Sequence, residues 1–148
     1  MGKSVLLVAL ALLAGCGGSP PGLPAITMTG GGGFATSSEV WTIAPDGSWT
    51  WVRKDRSMRL DAGPGEPPRS GRLTEAQRNE LTGLAIDPLL LQELRTPPGR
   101  CAVSDGPEER LEVGDVHYLA NWCRANRPRI AHLRERITTF TTGTGPRG

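Results

Sequence analysis

Glu39-Val40-Trp41-Thr42-Ile43, then Ala44-Pro45-Asp46-Gly47, then Ser48-Trp49-Thr50-Trp51-Val52: two runs that alternate apolar and polar residues flank a Pro-Asp-Gly turn signal. Successive side chains of a strand point to opposite faces, and Asp-Gly tolerates the backbone of a tight reversal, so this stretch reads as a β-hairpin. The period of two puts Trp41 and Ile43 on one face of the first strand, and Trp49 and Trp51 on one face of the second. A tryptophan face has two uses: the buried side of a sheet, or a stacking surface for a carbohydrate or a protein.

Upstream, Ala25-Ile26-Thr27-Met28-Thr29 alternates in the same way and predicts another strand, ended by Gly30 to Gly33. Glycine permits positive φ and close backbone approach, so that run is either a bulge or a loop that meets a partner. Downstream, residues 61–70 are rich in Pro and Gly and predict a loop. Thr74-Glu75-Ala76-Gln77 fits a capping box, Leu81, Leu84 and Ala85 give a helical apolar face, and Asp87-Pro88 reads as its stop. Leu89, Leu90 and Leu91 are expected to bury near that stop, and Thr96-Pro97-Pro98-Gly99 to form a second loop. Arg110 to Val113 and Val116 to Trp122 flank Gly114-Asp115 and predict a second hairpin. Val116, Tyr118, Ala120 and Trp122 share one face, with His117 opposite and solvated. Pro128 opens a helix with Ile130, Leu133 and Ile137 on one stripe and His132 off it.

The order is β-β-β-α-β-β-α, or β-β-α-β-β-α if the glycines only bend one strand. Both predict an α+β fold: an antiparallel four- to five-stranded sheet with two helices packed on one face, ββαββα-like, stapled by one disulfide.

The start of the chain reads as an address. Lys3 precedes the apolar run Val5 to Ala14, which spans about 15 Å as a helix, half of what a bilayer core requires. Leu13-Ala14-Gly15-Cys16 resembles the bacterial lipobox, in which the Cys sulfur takes a diacylglycerol before cleavage. The expected organisation is a lipoprotein signal peptide at 1–15, the lipidated Cys16 and a Gly/Pro tether at 16–24, one domain at 25–140, and a disordered tail at 141–148. With Cys16 carrying lipid, Cys101 and Cys123 are left in an oxidising compartment and are expected to pair, closing a loop worth about 3 kcal/mol. The protein is thus expected on the extracytoplasmic face of a membrane, held by its N-terminal lipid.

Composition argues against several chemistries. The chain has 148 residues, 17 Lys+Arg against 15 Asp+Glu, and 2 His, which excludes a His-rich metal protein and a strongly basic nucleic-acid binder. No G-x-S-x-G or comparable nucleophile setting occurs, and the Gly30 to Gly33 run lacks the G-K-[ST] ending of a phosphate loop. Glu108 and Glu109 lie in a polar stretch expected to be exposed. The reading is a non-enzyme with no metal, no cofactor and no nucleic-acid partner.

Ile26-Thr27-Met28-Thr29 followed by Gly31-Gly32-Gly33-Phe34-Ala35, the hairpin, the Gly71-Arg72-Leu73-Thr74 lead-in to the first helix, the strand containing Tyr118 and the terminal helix together resemble the emfourin family. That family comprises proteinaceous inhibitors of thermolysin-like metallopeptidases. The resemblance spans residues 25 to 140 and implies a stoichiometric inhibitor without catalytic residues, whose partner is a secreted thermolysin-like metalloprotease. Our own assignment places the protease-binding loop at Gly31, Gly32, Gly33, Phe34 and Ala35, with Phe34 as apolar anchor. The alternative is a non-inhibitory envelope lipoprotein that binds a protein or cell-wall component through Trp41, Trp49 and Trp51.

Overall fold

The computed structural model describes residues 22–31, 37–55, 66–97, 108–121 and 127–143. Six strands, β1 (Ile26–Gly31), β2 (Ser37–Ile43), β3 (Ser48–Asp55), β4 (Arg69–Arg72), β5 (Glu108–Val113) and β6 (Val116–Asn121), form one sheet in the order β4-β3-β2-β1-β5-β6. Every neighbouring pair is antiparallel. Three helices, α1 (Glu75–Ala85), α2 (Pro88–Arg95) and α3 (Pro128–Thr142), complete an α+β fold.

Residues opposite each other on an antiparallel ladder share a face. The register therefore lines up Val113, Ile26, Ile43 and Trp49 in one row, and Tyr118, Leu111, Met28, Trp41 and Trp51 in the next. These rows meet Leu81, Ala85, Leu90, Leu94, Ile130, Leu133 and Ile137 of the helices in one apolar core. The helices thus cover a single face of the sheet. The other face carries Thr27, Thr42 and Thr50 side by side.

Two elements exceed the expected count. β4 adds a strand inside what the composition marks as loop and helix lead-in. Its Arg-Ser-Gly-Arg sequence is exposed throughout and has no apolar alternation, so pairing with β3 defines it and periodicity does not. Gly71 makes that pairing possible, because a Cβ there would lie 2.7 Å from the Trp49 ring. The third helix, α2, begins where a stop was expected. Asp87-Pro88 does end α1, but the Asp87 side chain accepts a hydrogen bond from the Leu89 amide and Pro88 occupies the first turn, so the same dipeptide starts the next helix. Leu90 is buried and Leu91 packs against the core, whereas Leu89 is exposed.

Boundaries shift as well. β1 continues through Gly30 to Gly31, past the expected glycine break. Leu23, assigned to the tether, is buried in the core, and the Gly114 amide donates to the Ala25 carbonyl at 2.8 Å. α3 runs two residues beyond the expected start of the tail. Thr141 is buried there and donates its hydroxyl to the Ile137 carbonyl, and Gly143 closes the helix in the left-handed region. The α1 capping box forms as expected, with Thr74 and Gln77 bonded reciprocally.

The Cys101–Cys123 disulfide, Cys16 and the signal peptide lie outside the described residues, and no disulfide is found among those described. No described helix is long and apolar enough to cross a membrane.

Candidate functional site

Antiparallel strands sort their connections to two ends of the sheet. At one end lie the tight β2–β3 and β5–β6 turns, through Gly47 and Gly114, both with positive φ. In the first, Asp46 accepts from the hydroxyl and amide of Ser48, the former at 2.6 Å, and pairs with Arg72 at 3.0 Å. The two Ser48 bonds and the nearby guanidinium hold the Asp46 carboxyl below the usual carboxylate range. The chain enters the fold at this same end, through Leu23 beside the base of β1.

At the opposite end β1 and β3 finish, β2 and β4 begin, β5 begins and β6 finishes. Residues 32–36, 56–65, 98–107 and 122–126 lie outside the described residues. Of the expected protease-binding loop, Gly31 is described, while Gly32, Gly33, Phe34 and Ala35 fall in the first of these segments. Gly31 has φ +94, and a Cβ on it would lie 2.5 Å from the Ser37 carbonyl oxygen, so the position admits glycine alone. The β1–β2 ladder runs on to the pair Gly31–Ser38, whereas the β1–β5 ladder stops at Thr29–Arg110. β5 continues beyond that pair to Glu108, which pairs with Asn121 of β6, so β1 separates from β5 after Thr29 while staying paired with β2.

Beneath the hairpin the core-facing positions turn charged. Glu39 stands opposite both Gly30 and Arg53, and Glu109 of β5 forms an ion pair with Arg134 from α3. Gly30 leaves room for that arginine: a Cβ there would sit 3.4 Å from its Nη2. Burial pushes the Arg134 pKa down. The expectation that Glu109 is an exposed carboxylate is thus corrected: it faces the helix layer and is partnered. The signal lay in strand parity, which places Glu109 on the face of Leu111 and Val113.

The hairpin tryptophans pack in or against the core, and Trp122 lies outside the described residues. Trp41 and Trp51 are buried, with ring centroids 6.5 Å apart and planes tilted by 56°, and Trp49 is half-buried against the same cluster. Arg69 lies over Trp51, its Cζ 4.9 Å from the ring centroid, and closes that side. Of the two readings of the tryptophan face, Trp41 and Trp51 take the core one, facing the helices, while Trp49 keeps part of its ring exposed. His117 and His132 are exposed, near Glu112 and Glu135. No cluster of three or more His, Cys, Asp or Glu suited to a metal occurs among the described residues. No family model matches the chain, and no curated protein matches it.

Proposed function

We propose that this chain is a lipid-anchored, extracytoplasmic binding protein that acts as a stoichiometric inhibitor of thermolysin-like metalloproteases. The observation that carries the reading is the β1–β2 hairpin, pinched at Gly31 and parted from β5 after Thr29, at the end of the sheet opposite the chain's entry. A signal peptide at 1–15 and a lipid on Cys16 would hold the entry end toward the membrane and turn the hairpin outward. Gly32, Gly33, Phe34 and Ala35 would then reach a protease cleft, with Phe34 filling an apolar subsite. A rigid strand pair at the base of a binding loop limits the entropy lost on association. The burial of Trp41 and Trp51 supports this reading over the alternative of binding through the tryptophan hairpin.

The test is a titration of the whole chain against a thermolysin-type protease. Peptide hydrolysis should fall linearly to an end point near equimolar, and Phe34→Ala should weaken inhibition at least tenfold with the melting temperature unchanged. Undiminished hydrolysis in tenfold excess of the chain overturns the proposal.

A further inference from the structure

The α1–α2 corner exposes two large apolar side chains, Ile86 at 42% and Leu89 at 51% of full exposure. They flank Asp87, whose charge is met by Arg129 at 3.3 Å and by the first turn of α2. Ile86 also lines a groove of about 420 Å³ together with Gly22, Leu23, Pro45, Arg78 and Thr82. That groove lies where the described chain begins. An apolar corner with its carboxylate neutralised, beside a cation, has the composition of an interfacial membrane contact, with aliphatic side chains for the acyl boundary and a guanidinium for phosphate.

Chain length supplies the occupant. Cys16 precedes Gly22 by six residues, a reach of about 20 Å at full extension. If Cys16 carries the lipid, the groove cannot leave the vicinity of the bilayer. We propose that Ile86, Leu89 and Arg78 form a second membrane contact, so that the domain rests on the lipid headgroups by its α1–α2 corner. This inference rests on the lipid-anchor reading above. It goes beyond that reading in fixing which face of the domain touches the membrane.

The experiment reconstitutes the lipidated chain into phosphatidylethanolamine–phosphatidylglycerol vesicles whose acyl chains carry bromine, a tryptophan quencher. Variants Ile86→Trp and Lys54→Trp each add one emitter, the first at the corner and the second near the far end of β3. The expected result is that the emission added by Ile86→Trp falls at least twofold on brominated vesicles while that added by Lys54→Trp is unchanged. Equal quenching at both positions, or none at 86 in protein that floats with the vesicles, overturns the membrane contact alone. Failure of the chain to float, with Cys16→Ser behaving identically, overturns the anchor and the contact that depends on it.

Discussion

Glycine carries opposite meanings at two positions of this chain. Gly71 sits on the exposed edge strand β4, where nothing in its own exposure suggests constraint, yet a Cβ there would press within 2.8 Å of two Trp49 ring atoms. Gly83 lies on the solvent side of α1 with no atom within 4 Å of its Cβ position. Gly71→Ala should therefore destabilise by about 1–3 kcal/mol through the displaced ring, whereas Gly83→Ala should stabilise by about 0.5–1 kcal/mol by restricting the unfolded backbone. Urea denaturation of the two variants checks the opposite signs. The sequence made the hairpin tryptophans legible as a face, and parity alone ordered them. It left open whether that face was core or surface, because alternation is the same for both and only the position of the helices decides.

At the level of elements, the legible ones were those whose own residues define them. The α1 capping box and the two hairpin turns depend on contacts within a few residues, and all three formed as read. α2 and β4 escaped because their definition comes from elsewhere: α2 from a dipeptide with two roles, β4 from its neighbour β3. The start of α3 is a further case. Arg127 precedes it with no side-chain cap, and Glu93 of α2 supplies the missing acceptor, its Oε2 taking the amides of Arg129 and Ile130 at 3.0 Å each. The charge also suits the positive end of the helix dipole. Glu93→Ala should cost about 1–2 kcal/mol. It should also accelerate hydrogen exchange at the Arg129 and Ile130 amides while leaving those of α1 unchanged. Equal acceleration in both helices would show that the residue supports the fold generally and not this cap.

For the whole molecule, ion pairs between the helices trace their arrangement above the sheet. Arg136 meets Glu80 at 2.5 Å and Arg129 meets Asp87, so α1 and α3 run antiparallel across it. Arg127 ties the far side, donating to the carbonyls of Glu93 and Pro97, the latter at 3.0 Å, with its guanidinium over the Tyr118 ring. Cys101 follows Pro97 by four residues and Cys123 precedes Arg127 by four, so each thiol is tethered within about 14 Å of one end of that bond. The proposed Cys101–Cys123 disulfide is compatible with these tethers. Both thiols should resist alkylation in the folded, unreduced chain, and reduction should lower the melting temperature by about 10 °C. Immediate alkylation of both would remove the staple from the fold. Which strand ends share an end of the sheet was not legible, since it depends on the direction of every strand at once.

The strand order has a kinetic side. β1 to β4 form a meander whose pairings are all local, but the inner edge of β1 is filled by β5, with Ile26 opposite Val113. Closing a loop of that length costs entropy before any contact repays it, so the meander can zip early while its apolar face waits for the second half of the chain. A chain that emerges from the ribosome N-terminus first would hold Trp41, Trp51 and Met28 open to water until β5, β6 and α3 follow. Its most aggregation-prone moment is thus set by the arrival of its last third.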